Sequence, residues 1–513
     1  MVNMGFNRLT EKNIQVPGLK SWIILLIIPV ICYSIYLYTD IIETTSNSLK
    51  IWYLIFGDGK LSDFYTYRYP LLENAPQAGY DFFIYIIFAI WNIPLFIFEK
   101  ITSVSYTNYY ITVLYAKSII ILFLVLTAIQ VYKLTMLISG DKTKASWSVF
   151  SFVFSVSVFQ TIGVIGGYDI ISVFFTLCGI VAYFQNRDKH FLLYFSFAIA
   201  CKLFAVWIFV PLVLLKYKKI PNIILSALAG IQMILIPKIL FAISGFIHNI
   251  FADSVQGEVA GVDISATNIP QTGISTVEEG IAQVDAGTQL SQIVSISHSN
   301  IVSDFIWGGE APITAPVVPA LFFFTFILWV WCWFRKEKLS KYQTIFVVLL
   351  GMSIFILTCN TYPYWFILIA PYMAILVCTS WENIPIKVFL EICSGVSYIL
   401  VKVIRSPQCY HYNLIVNMLH NEASRDEYFY YGLYTYLSKV CSMIGLDVDR
   451  NLRTLATSIF AASSVMFLWY VRKDKSGETN FQSQDIKYFY WKAYCCIAVS
   501  LIPFLGVTIR IIL

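Results

Sequence analysis

The feature that most constrains this chain is a succession of apolar runs, most of them long enough to cross a bilayer, separated by short clusters of Lys and Arg. The long runs lie near 22–39, 109–135, 146–163, 168–185, 221–243, 313–334, 342–359, 362–380, 386–403, 453–471 and 489–511. A shorter pair, 191–201 and 203–215, has room for a short helical hairpin, and 80–98 is a further apolar stretch. Charged residues make up 13% of the chain and hydrophobic residues 58%. Ordinary soluble proteins carry about 25% charged residues, so this chain lacks the polar surface a water-exposed fold needs. Soluble globular folds, disordered chains and nucleic-acid-binding modules are thereby excluded. The expected class is an all-α polytopic membrane protein, with the bilayer as a partner and nucleic acid not.

The basic clusters set the sides. Residues 1–20 hold Arg8, Lys12 and Lys20, and the run from Trp22 has no small-residue cleavage site, so it reads as an anchor rather than a signal peptide. Further clusters are Lys142/Lys144, Arg187/Lys189, Lys216/Lys218/Lys219, 335–341 and 472–487. Against these stands the 244–312 segment, 69 residues with eight acids and no Lys or Arg. All six basic clusters share the cytoplasmic side if 80–98 is juxtamembrane or re-entrant and 191–215 is a hairpin. The chain then has about 11–13 membrane helices. It divides into a module at 1–245 with a first outer loop at 40–108, an acidic outer loop at 246–312, and a module at 313–513 with an outer loop at 404–452. Most of the 11 cysteines lie in apolar runs, and no CxxC suggests zinc or redox chemistry. Cys409 and Cys441 share a polar loop and could pair if that loop is extracytoplasmic.

Five cations break the pattern: Lys117, Lys202, Lys238, Lys402 and Arg405 all map to the outer half of the bilayer. Lys117 lies about 12 Å into its helix at ~1.5 Å per residue. Such residues either snorkel to headgroups or serve a function. A group of cations at this depth suits a lipid-linked phosphate approached from the outer leaflet. Two acids sit where a helix meets the same boundary: Asp40, closing the first run, and Asp169, in Gly166-Gly167-Tyr168-Asp169. Glu43, Asp58, Asp63, Glu73 and Asp81 also lie in the first outer segment. A carboxylate there can take the proton of an acceptor hydroxyl as it attacks a sugar C1. A phosphate leaving group departs as a stable anion and needs no acid, only cations to receive its charge.

In this order of features the sequence resembles the GT-C superfamily of membrane glycosyltransferases over roughly residues 20–245. The features are a first run ending in Asp40, the aromatic stretch Phe64-Tyr65-Thr66-Tyr67-Arg68-Tyr69-Pro70, a short apolar helix, Gly-Gly-Tyr-Asp169, and the hairpin Ala198-Ile199-Ala200-Cys201-Lys202 followed by Pro211. Tyr362-Pro363-Tyr364-Trp365 is similar to aromatic-Pro helices later in such chains. The sequence departs from two branches of the superfamily, with Ile41 after Asp40 and Ala75-Pro76 in place of a Lys-Pro. The resemblance implies an inverting transferase that takes a sugar from a polyprenyl-phosphate donor to a glycan or glycolipid acceptor at the extracytoplasmic face. Asp40 and Asp169 are its catalytic candidates. Lys202 and Lys117, with Arg68 or Lys60, are the candidates for the donor phosphate, and Tyr67, Tyr364 and Trp365 for sugar or acceptor contact. Asp40 and Asp169 could be base and orienter, with no cofactor, or could share a divalent cation. A lipid-linked polysaccharide polymerase or ligase is the alternative, and a lipid or polysaccharide transporter or flippase the second. The Ile-, Lys- and Asn-rich usage points to an AT-rich bacterial genome and a multi-pass cell-membrane protein.

Overall fold

A computed structural model describes residues 16–35, 39–57, 61–71, 78, 81–239, 241, 320–359, 363–405, 433–473 and 485–512. The acidic segment from 246 to 312, Lys60 and Cys409 lie outside the described residues, as do the side chains of Asp40, Lys402 and Arg405. Secondary structure among the described residues is helical throughout, without strands. The first half runs α1 (Leu19–Ile35), α2 (Thr39–Phe56), α3 (Phe82–Trp91), α4 (Ile93–Thr102), α5 (Tyr110–Ser139), α6 (Lys142–Val153), a π-helical stretch Phe159–Ile165, α7 (Ile170–Phe184), α8 (Asp188–Cys201), α9 (Val206–Lys216) and α10 (Ile220–Gly230). After Gln232–Ile239, here α11, come α12 (Ala320–Phe334), α13 (Lys341–Thr358), α14 (Ala370–Ser380), α15 (Ile384–Arg405), α16 (Leu433–Met443), α17 (Arg453–Val471) and α18 (Ile486–Ile512).

Four of the described helices are long and apolar enough to cross a membrane: α5, α13, α15 and α17. The number reaches seven if three bent pairs each count as one span. The apolar runs thus become helices, several of them shorter or broken. Large apolar side chains stay exposed along these helices, among them Ile111, Val125 and Ile129 on α5 and Phe323, Phe326 and Ile327 on α12. Such faces suit contact with lipid tails rather than water. The buried core is continuous from the N-terminal to the C-terminal module. Lys492 joins them with polar bonds, donating to Ser151 Oγ at 2.8 Å and ion-pairing with Glu391.

The 80–98 stretch is two ten-residue helices bent by 67° at Asn92. Each is about 15 Å long, half a bilayer's hydrocarbon core. The buried Asn92 donates to Ser48 Oγ of α2 at 3.2 Å, and Trp52 Nε1 of α2 donates to the Ala89 carbonyl at 2.8 Å. These bonds seat the amphipathic α2 on the bent pair. The 191–215 hairpin is α8 and α9, interrupted at Lys202, whose backbone is extended (φ −156°, ψ 126°). An extended residue cannot continue either helix. The interruption therefore leaves Lys202 at the apex, flanked by the two helix ends.

Candidate functional site

The apex of the hairpin meets the start of α7. Lys202 Nζ lies 3.2 Å from Asp169 Oδ1, with the two side chains 7% and 1% exposed. The ammonium also stands 4.8 Å from the centre of the Tyr168 ring. A buried charge is tolerable only when paired, and the carboxylate and the aromatic face together supply that. Glu43, half-buried on α2, feels the charges of both Lys202 and Lys50. The acid that opens α7 and the hairpin Lys are thus in contact, with the α2 acid within electrostatic reach of the same ammonium.

The Gly-Gly turn makes this approach possible. Gly166 ends the π-helical stretch in the left-handed region at φ +74°, which glycine adopts without penalty. A Cβ there would come within 2.8 Å of Lys117 Cε. At Gly167 a Cβ would meet the Tyr364 Cβ at 3.1 Å and Thr161 Cγ2 at 2.9 Å. The Gly167 N–H donates to the Thr161 carbonyl at 2.8 Å, and the Thr161 hydroxyl to the Tyr364 carbonyl at 3.1 Å. The turn thus passes between Lys117 and Tyr364 and delivers Asp169 to Lys202.

Lys117 is fully buried and lies on Tyr33. Its ammonium donates to the Tyr33 carbonyl at 2.8 Å and sits 4.1 Å from the centre of the ring. Tyr33 also lines an apolar cavity of about 710 Å³ between α1, α5 and the Val149–Gly163 segment, walled by side chains such as Trp22, Leu26, Ile121 and Phe159. Tyr33 therefore stands between the cavity and the buried Lys117, whose side chain in turn lies against the turn leading to Asp169.

The structure brings Asp169, Lys202, Lys117 and Tyr364 into this one region. Trp365 is beside Tyr364 but packs against Phe204 and Phe355, both with ring centres 5.7 Å away, so it holds core rather than facing an opening. Arg68 is exposed rather than seated in that buried group. Tyr67 is half-buried near Tyr53. The aromatic stretch around it holds structure together. Tyr69 donates its hydroxyl to the buried Glu99, as does Tyr53 at 3.1 Å, and the Tyr106 N–H adds a third bond at 2.9 Å. This knot ties the first outer segment into one unit. Asp40 lies in the first turn of α2, one turn before Glu43. Lys238 lies 3.9 Å from Asp81.

Glu43 and Asp81 read in the sequence as members of the acidic first outer segment rather than as site residues. The signal for Glu43 is its spacing three residues after Asp40, which puts the two on neighbouring positions of one helix. Burial raises the Glu43 carboxyl above its usual range, while Lys202 and Lys50 pull it down. Burial also pushes Lys50 down to about 8, with Glu43 opposing. Lys50→Met removes one of the two cations that favour the ionised form of Glu43. The acid limb of the pH–rate profile should then move to higher pH, because Glu43 keeps its proton longer. An acid limb that stays in place would detach Glu43 from the rate. Among the described residues no cluster of three or more His, Cys, Asp or Glu is arranged to hold a metal ion.

Comparison with family models, with curated proteins and with solved structures finds no match to this chain.

Proposed function

We propose that the protein is an integral-membrane glycosyltransferase of the GT-C kind, moving a sugar from a polyprenyl-phosphate donor to a glycan or glycolipid acceptor at the extracytoplasmic face. The observation that carries this reading is the buried Asp169–Lys202 pair, joined through the Gly166 turn to Lys117, which lies on Tyr33 in the wall of an apolar cavity. An isoprenoid tail fits such a cavity by apolar burial alone. Its phosphate belongs at the cationic end, where Lys117 and Lys202 can receive charge. Both ammonium groups have intramolecular partners here, Tyr33 and Asp169, which a phosphate would share or displace.

The chemistry follows from the balance of charge. The acceptor hydroxyl attacks the sugar C1 opposite the phosphate. A carboxylate on the first turn of α2, Asp40, takes the hydroxyl proton. The C1–O bond to phosphate breaks, and the lipid phosphate leaves with the electron pair, stabilised by Lys202. The anomeric centre inverts. Asp169 acts through Lys202, holding its ammonium in place, and is a positioning residue. In this reading the six basic clusters are cytoplasmic and the reaction lies on the side opposite them.

The direct test uses purified protein in lipid nanodiscs with labelled polyprenyl-phosphate sugars and a pool of glycan acceptors. The expected result is label in the acceptor, inverted at C1, with release of polyprenyl monophosphate. No transfer from these donors, but transfer from an added polyprenyl-pyrophosphate-linked glycan with release of polyprenyl pyrophosphate, would instead favour a polymerase or ligase. Binding of the lipid with no bond broken would overturn the transferase reading.

A further inference from the structure

The far end of α7 holds a second cavity. α7 has 15 residues, so its two ends stand about 22 Å apart at ~1.5 Å per residue. At the Phe184 end a cavity of about 430 Å³ opens between the ends of α7 and α9 and the connection from α12 to α13. Five of its lining residues are lysines, namely Lys216, Lys218, Lys336, Lys338 and Lys341, and one is an acid, Glu337. That acid is already engaged, its Oε2 lying 3.4 Å from Arg335 Nη2.

The lysines divide into two kinds. Lys216 pairs with Asp188. Lys218 donates to the Leu214 carbonyl at 2.6 Å and the Cys332 carbonyl at 2.8 Å, and Lys341 to the Leu137 carbonyl at 2.9 Å. These three fix helix ends, where a cation is favourable. Lys336 and Lys338 differ: among the described residues neither has an ion-pair partner, and both are exposed. The rest of the wall is part apolar, with Tyr183, Phe184, Leu215 and Leu339. Trp331 and Phe334, in the last turn of α12 just before this connection, are exposed as well. Aromatic side chains of this kind favour the membrane–water boundary.

We infer that this cavity is a binding site for the phosphate headgroup of an anionic phospholipid, gripped by Lys336 and Lys338. The excess of cations calls for an anion. The apolar and aromatic half of the wall calls for one that arrives with acyl chains rather than one free in water. Basic pockets between helix ends are the form in which such headgroups are held. The inference does not depend on the reading of the Asp169 end.

The test compares the protein in nanodiscs of neutral phosphatidylcholine with and without phosphatidylglycerol, and counts retained phosphatidylglycerol by native mass spectrometry. The parent should retain it selectively. Lys336→Gln/Lys338→Gln should lower its affinity roughly thirtyfold, at about fivefold for each Lys near an anionic surface. A control pair on the same side, Lys142→Gln/Lys189→Gln, should leave retention unchanged. Glu337→Gln removes the one acid of the wall and should tighten binding, which keeps the site testable if the double variant folds poorly. Equal losses in the control pair, or no loss in the double variant, would overturn the site. Saturation by inorganic phosphate with no preference for the lipid would overturn the headgroup and leave a soluble anion.

Discussion

Asp40→Asn should slow sugar transfer by about 10²–10⁴-fold while leaving donor binding intact, the range expected when a general base is removed but the shape is kept. α1 ends at Ile35 and α2 starts at Thr39, so Asp40 stands in the first turn of a new helix. A carboxylate in the first turn also gains from the helix dipole when ionised. Glu43 is one turn further on and has Lys202 and Lys50 for electrostatic partners. The pair separates by experiment. If Asp40 is the base, Glu43→Gln should change the pH profile more than the maximal rate. If Asp40→Asn transfers within about threefold of the parent and Glu43→Gln is the crippled variant, the base is Glu43. Both variants active would remove the base from α2 altogether.

Much of the helical plan can be read from the chain because apolar runs and Lys/Arg clusters are local signals. The 191–215 hairpin is the clearest case. Basic residues at both of its ends leave its middle at the opposite side, and the extended backbone at Lys202 is that turn. The bend at Asn92 is harder to place. Asn is not a forced helix breaker, and the bend is held by Ser48 and Trp52 of another helix. Counting residues outward along one axis ranks Asp40 above Glu43. α2 instead is a separate helix bonded to the bent pair α3–α4, so Asp40 and Glu43 are not simply the next positions of α1. Trp365 shows a third kind of limit. An aromatic residue beside a proline reads equally as contact surface or as core, and only the packing of Phe204 and Phe355 decides. Gly166 is visible as half of a Gly-Gly pair, but its reason, the passage of Lys117, lies on α5.

Lys202→Met should weaken donor use and also weaken the fold, and the two effects can be told apart. Loss of a charge-assisted bond to the donor phosphate costs about 1.5–3 kcal/mol, roughly tenfold to a hundredfold or more in apparent donor affinity. The same substitution strands Asp169, which is 1% exposed, without its ammonium partner. Leaving a buried charge uncompensated costs about 3–5 kcal/mol. The single variant is therefore expected to be both less stable and much poorer at using donor. Asp169→Asn/Lys202→Met removes both charges and should recover most of the thermal stability. It should not recover donor use, because the cation that receives the leaving phosphate is still missing. Lys202→Arg keeps a cation but replaces a compact ammonium with a planar fork, so it should retain binding better than rate. Recovery of transfer together with stability in the double variant would make Lys202 a strut for the hairpin and return the donor phosphate to Lys117.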